Sequence, residues 1–230
     1  MDCVYICRAG ENEELRYSIR SVEKNLPHAN IWVVGSAPSW YTGKQVRVSQ
    51  NLSKYRNAIA NLEAIVSHPD ISEDFILMND DFFVLEPVEA VQSFHRGYLY
   101  DSIEERKDIY ISNPYIDMME NTYNRLIKNG IKDPLDYELH IPMKMNKNKL
   151  KNVIRFGFLW RSMYGNMNNV GGIQMDDVKV HNPGSPESKG SHDYKNHGTT
   201  YLSSNDGSFE DIKENLLLIK FPKPSSLELA

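Results

Sequence analysis

The chain has 230 residues, 40% hydrophobic and 25% charged, and its 26 basic against 31 acidic side chains leave a formal charge of −5. That balance excludes a disordered chain and a collagen-like fibre and argues against a protein that coats nucleic acid wholesale, while leaving room for a local basic patch. A chain of this length buries roughly 70–75% of the surface its unfolded form exposes, so its core needs no disulfide or metal staple.

No segment approaches the roughly 18–20 consecutive apolar residues of a transmembrane helix, and the start, Met1-Asp2-Cys3-Val4-Tyr5-Ile6-Cys7-Arg8, has an early acid and too short an apolar run for a signal peptide. Cys3 and Cys7 are the two cysteines. On one strand they share a face about 13 Å apart, too far for a disulfide. They read as buried thiols of a reducing cytoplasm.

Val4–Cys7 is a short strand signal. Leu15, Ile19, Val22 and Leu26, led by Glu13 and Glu14, predict an amphipathic helix stopped by Pro27. Ile31-Trp32-Val33-Val34-Gly35 has the near-continuous apolar pattern of a strand buried on both faces. Val46-Arg47-Val48 reads as a shorter strand, Tyr55 to Ser67 as a helix ending before Pro69, and Phe75-Ile76-Leu77-Met78 as a fourth strand. The alternation predicts βαβ units and a mainly parallel sheet. Further on, Tyr115 to Asn129 has helical spacing with Gly130 as its C-cap. Residues 144–161 carry six basic side chains and no acid, with Phe156, Phe158 and Trp160 interleaved as in an alternating strand. Residues 183–198 are rich in Pro, Gly, Ser, His and Lys and read as a mobile loop. A last helix is expected from Phe209 to Leu218, opened by a Ser208–Asp211 capping box.

The most informative segment is Asp74-Phe75-Ile76-Leu77-Met78-Asn79-Asp80-Asp81-Phe82-Phe83-Val84-Leu85. Adjacent carboxylates interrupt an apolar run, and burying them uncompensated costs on the order of several kcal/mol each. Placing them at the C-terminal end of a strand resolves this, since open α/β sheets bind ligands there and a hard cation, Mg²⁺ or Mn²⁺, joins carboxylate to diphosphate oxygen. A solvated Asn-Asp-Asp turn would also suit the triplet alone, but such a corner rarely resumes at once as a second apolar run.

In chain order, Arg16-Tyr17-Ser18-Ile19-Arg20-Ser21-Val22-Glu23, then Ile31-Trp32-Val33-Val34-Gly35 with Pro38-Ser39-Trp40, then Phe75 to Phe83 resemble the Stealth-type sugar-phosphate transferases of capsule synthesis. The similarity is closer to a compact family of phage and prophage glycosyltransferase-like proteins. It continues through Tyr137 to Met143, Arg161-Ser162-Met163-Tyr164-Gly165-Asn166, Asp177-Val178-Lys179-Val180 and Phe221-Pro222-Lys223-Pro224-Ser225. The first block departs from the Stealth pattern: Val4-Tyr5-Ile6-Cys7-Arg8 lacks the usual acid and aromatic richness.

The resemblance implies a single glycosyltransferase-like domain over residues 1–230, with a GT-A-like (Rossmann-like) mixed, mainly parallel sheet flanked by helices and a helical insertion at about 97–135. It implies a metal-dependent transferase moving a sugar from a nucleotide-diphosphate sugar, UDP-linked by preference, to a hydroxyl acceptor. Asp81 would be the main metal ligand, with Asp80 and Asn79 beside it and Asp80 also a candidate for catalysis. His140 and His181 compete to be the third ligand, although a hydrogen-bonded structural histidine explains His140 as well. Asp206 is not needed for the helix cap and matches the acid of a late Ser/Asn-Asp motif, which implies a catalytic base or a substrate-hydroxyl ligand.

Arg8 ends the first strand, where it would bind the nucleotide's phosphate or base, or simply pair with Glu11 or Glu13. Arg155 and Arg161 are candidates to clamp the donor phosphates. The basic run they belong to suits a solvated surface, a DNA or RNA partner, or a polyanionic wall polymer as acceptor. Modified bases in phage DNA are one acceptor class this raises. Transfer of a whole sugar-1-phosphate to a cell-surface polysaccharide, and a nucleotide-sugar or nucleic-acid binding module without turnover, are the alternatives.

Overall fold

A computed structural model describes residues 1–110, 113–155, 157–182, 185 and 199–229. Two compact units emerge: Met1–Val91 with His140–Met145 and Val178–Ala230, and Gln92–Leu139 with Asn146–Asp177.

In the first unit, β1 (Asp2–Cys7), β2 (Ile31–Gly35), β3 (Lys44–Arg47) and β4 (Asp74–Asn79) join in a sheet whose order is β3-β2-β1-β4, with β7 (Met143–Asn146) at the far edge. The pairings β1–β2, β1–β4 and β2–β3 are all parallel, as the strand–helix alternation predicts. β1 and β2 lie at the centre, which is why their side chains are apolar on both faces: Val4, Val33 and Val34 are fully buried.

Helix α1 (Glu13–Asn25) follows β1, and α2 (Lys54–Ser67) precedes β4. Asn12 opens α1 in a left-handed conformation (φ 48°), and its Oδ1 accepts from Leu15 N at 3.0 Å. The short strand β5 (Phe82–Val84) leaves the β4 turn and pairs antiparallel with β9 (Tyr201–Ser203). Under this ribbon Tyr17 from α1 packs with Phe83, Leu202, Phe209, Ile212 and Leu217 in one apolar cluster. The last helical stretch runs from α7 (Phe209–Ile212) through a π-helical turn (Lys213–Leu217) into α8 (Leu218–Lys220). The expected Ser208–Asp211 capping box is not formed. Ser208 Oγ donates instead to Val180 O at 2.8 Å, and Asn205 Oδ1 accepts from Ser208 N at 3.0 Å.

Gly35 ends β2 at φ 121°, and a Cβ there would collide with the Cys7 carbonyl. Gly35→Ala is therefore expected to cost about 2–3 kcal/mol, from a disfavoured backbone region together with a clash inside the central sheet. The midpoint of urea unfolding measures it, and an unchanged midpoint would contradict it.

The second unit contains β6 (Phe94–His95) paired parallel with β8 (Ile173–Gln174), and helices α3 (Leu99–Ile109), α4 (Pro114–Lys128), α5 (Lys147–Lys151) and α6 (Trp160–Met167). The helical stretch expected at about 97–135 falls inside it. Here one expectation is overturned: residues 157–161 are not an alternating strand. Gly157 takes φ 89°, which breaks an extended run, and Leu159 then opens α6 with its N–H bonded to Thr122 Oγ1 at 2.8 Å. Arg161 is consequently a helical residue. Phe156, and the expected mobile loop at 183–198 apart from Ser185, lie outside the described residues.

Candidate active site

Four loops of the first unit meet where β4 ends. Asn79 closes β4, Asp80 and Asp81 form the turn, and Phe82 resumes as β5. Asp81 Oδ2 accepts from Lys179 Nζ at 2.9 Å and from Ser203 Oγ at 3.2 Å. Its Oδ1 is buried and has no hydrogen-bond partner. Asp80 Oδ2 accepts from Asn12 Nδ2 at 2.6 Å. One asparagine thus starts α1 with its oxygen and orients Asp80 with its nitrogen. Burial first, and then the Asp81 charge, push the Asp80 carboxyl up to about 6.

Glu14 stands in the first turn of α1 with Ser204 Oγ donating to its Oε1 at 2.8 Å and Arg8 Nη2 3.9 Å from its Oε2. It is buried, and that burial, opposed by Ser204 and reinforced by Asp81, Asp80 and Asp206, raises its carboxyl to about 7. Asp206 is the opposite case. Its side chain is 80% exposed and its Oδ1 accepts from Arg8 Nη2 at 2.8 Å, and the guanidinium holds it below the usual carboxylate range. Arg8, Asn12, Glu13, Glu14, Asp206 and Glu210 line a cleft of about 390 Å³.

Sequence reasoning picked out Arg8, Asn79, Asp80, Asp81 and Asp206, and the fold gathers Arg8, Asp80, Asp81 and Asp206 around this corner. Arg8 pairs with Asp206 rather than with Glu11 or Glu13. His140 packs its ring edge-on to Phe82, with centroids 6.0 Å apart, and His181 is half-buried. Among the described residues no group of three or more His, Cys, Asp or Glu is gathered tightly enough to hold an ion as it stands. The feature that suits a hard cation is the unpartnered Oδ1 of Asp81, with Asp80 beside it.

Arg155 and Arg161 belong to the second unit. Arg155 is exposed, whereas Arg161 is buried, and its charge opposes the rise that burial and Asp136 impose on the Glu138 carboxyl, which stands at about 7. Within the basic run at 144–161, Lys144 lies on β7, Lys147, Lys149 and Lys151 on α5 and Arg161 on α6, and Lys147 and Arg161 are buried, so it is no continuous exposed strip.

Asn12, Glu14, Lys179, Ser203 and Ser204 were missed. For Glu14 a signal existed: it is one and two helical turns before Ser18 and Val22, on the buried face of α1. For Lys179 the signal was alternation with the apolar Val178 and Val180. Nothing local marks either serine.

No family model matches this chain. Over 113 residues, 44% of the chain, it is 31% identical to the capsular polysaccharide phosphotransferase LcbA of Aeromonas hydrophila, of which the match covers 31%. Over 143 residues, 55% of the chain, it is 30% identical to the alpha/beta subunits of N-acetylglucosamine-1-phosphotransferase of Homo sapiens, covering 10% of that protein. The matched segment thus spans about a tenth to a third of these relatives. In three dimensions, a crystal structure of the galactosyltransferase LgtC in complex with donor and acceptor sugar analogs aligns over 98% of each chain with a TM-score of 0.48 and 10% identity. Among the described residues no helix is long and apolar enough to cross a membrane.

Proposed function

We propose that this chain is a transferase that takes a nucleotide-diphosphate sugar as donor and passes its sugar portion to a hydroxyl acceptor. The observation that carries the reading is the buried, unpartnered Oδ1 of Asp81, at the C-terminal end of a parallel-sheet strand beside Asp80 and bordered by the cations Arg8 and Lys179. Asp81 with Asp80 would hold Mn²⁺ or Mg²⁺, whose charge, when bound, offsets that of the departing phosphate. Arg8 is placed to donate to a phosphate oxygen at the mouth of the cleft. Glu14 is the better proton acceptor for the incoming hydroxyl, because its environment holds it near neutrality, while Arg8 keeps Asp206 a weak base suited to orienting the hydroxyl.

Two bonds of the donor are open to cleavage. Similarity to phosphotransferases favours transfer of sugar-1-phosphate, which releases nucleoside monophosphate. The departure of Val4-Tyr5-Ile6-Cys7-Arg8 from the Stealth pattern favours plain glycosyl transfer, which releases the diphosphate. Product mass separates them. A glycan hydroxyl is the preferred acceptor, and DNA loses ground because the basic run is not a continuous strip.

A thermal-shift screen of UDP-, GDP- and dTDP-sugars with Mn²⁺ tests the donor class. Saturation at a hundred times Kd is expected to raise Tm by about 5 °C or more, from roughly 2.7 kcal/mol of binding linkage. No shift with any nucleotide sugar would overturn the reading.

A further inference from the structure

Lys179 lies on a short extended segment that runs beside β9. Val180 N donates to Ser203 O at 2.8 Å, and Ser203 N to Val178 O at 3.2 Å. Val178 and Val180 are buried in the apolar interior, so alternation turns Lys179 the other way, onto Asp81. Its side chain is only 18% exposed, and its charge also acts on Asp206.

Asp81 is thereby satisfied on one side only. Oδ2 carries both Lys179 and Ser203, while Oδ1, also buried, carries nothing. A dication at Oδ1 would be drawn to the same carboxylate that holds the ammonium and repelled by it, since like charges a few ångströms apart in a partly dry site interact strongly. A lysine suits a role that requires moving. Its charge is compact, its stem has four carbons, and its three donors take any acceptor geometry, unlike the rigid guanidinium of Arg8.

We infer that Lys179 is a diphosphate-binding residue stored on Asp81: its ammonium leaves the carboxylate as the divalent cation takes it and moves onto an anionic phosphate oxygen of the nucleotide. This rests on the transferase reading above and adds to it a coupling. The cation alone binds weakly because Lys179 opposes it, and cation and diphosphate bind together because the diphosphate gives Lys179 a second partner.

The consequence is a pair of effects of opposite sign. Lys179→Met is expected to tighten binding of Mn²⁺ alone about tenfold, measured by electron paramagnetic resonance of free Mn²⁺. The same variant should weaken UDP at saturating Mn²⁺ about tenfold, measured by calorimetry. Lys179→Arg keeps the charge, so binding of Mn²⁺ alone should stay within about threefold of wild type, while UDP at saturating Mn²⁺ should fall between wild type and Lys179→Met. Lys179→Gln serves as a second neutral variant if Lys179→Met unfolds early. A lysine that merely braces the Asp81 turn would weaken both ligands together on removal, and that result, or no change in either, overturns the inference. If wild type binds Mn²⁺ with UDP and the neutral variants match it, only the role of Lys179 falls. If wild type binds neither, the transferase reading falls as well.

Discussion

Replacing Asp81 by Asn is expected to reduce cation-dependent consumption of the donor by at least about a hundredfold, in the range seen when one preorganised electrostatic group is removed from a reacting centre. The reason is positional. Asp81 is the first residue after Asp80 at the end of β4, and its Oδ1 is the buried acceptor that the protein itself leaves unmet. Asparagine retains the volume and an oxygen for Lys179 or Ser203 but loses the charge that pairs with Lys179, so circular dichroism should report the wild-type fold, with a lowered Tm, while turnover collapses. The measurement is release of nucleoside mono- or diphosphate with Mn²⁺ and with EDTA. Wild-type rates in Asp81→Asn, or in EDTA, would sink the metal assignment.

The second large effect concerns Glu14. Glu14→Gln removes the group proposed to take the acceptor's proton, and a loss of about 10²–10⁴-fold in turnover is expected. Asp206→Asn should cost less, about tenfold, because Arg8 already suppresses the basicity of Asp206. In wild type the rate should rise with pH as Glu14 ionises, and the Gln variant should lose that limb. Stability supplies an independent readout. Since the folded-state value is raised from 4.5 to about 7, the stability Glu14 contributes is fully present below the unfolded value and is lost as pH climbs through 7. Glu14→Gln should therefore gain on wild type by up to about 3 kcal/mol between roughly pH 5 and pH 8. A stability difference that does not move with pH would show that Glu14 titrates as an ordinary carboxylate.

Much of this was legible in the chain because it rests on local rules. Apolar runs without alternation mark strands covered on both faces, and β1, β2 and β4 came out within a residue or two of expectation. Two carboxylates inside an apolar run cannot be placed cheaply except at a strand end, and Asp80 and Asp81 are there. The alternation at Phe156, Phe158 and Trp160 misled for an equally physical reason. Period-two patterning over a few residues carries little weight against a glycine that takes positive φ, as Gly157 does. The expected capping box failed because the Ser208 hydroxyl had a better partner, the carbonyl of Val180 nearly thirty residues away.

By itself, then, the sequence determined the parallel α/β sheet and the acidic turn at the edge of β4, since hydrophobic periodicity and the cost of burying charge act along the chain. Tertiary structure alone decided what surrounds that turn. Asn12 reaches Asp80 across 68 positions, Lys179 reaches Asp81 across 98, and Ser204 reaches Glu14 across 190. No short-range pattern encodes such pairings, because each exists only once the sheet has brought β1, β4 and β9 to the same corner. It is there that burial raises the Glu14 carboxyl and Arg8 lowers that of Asp206, although in the sequence both are simply acids.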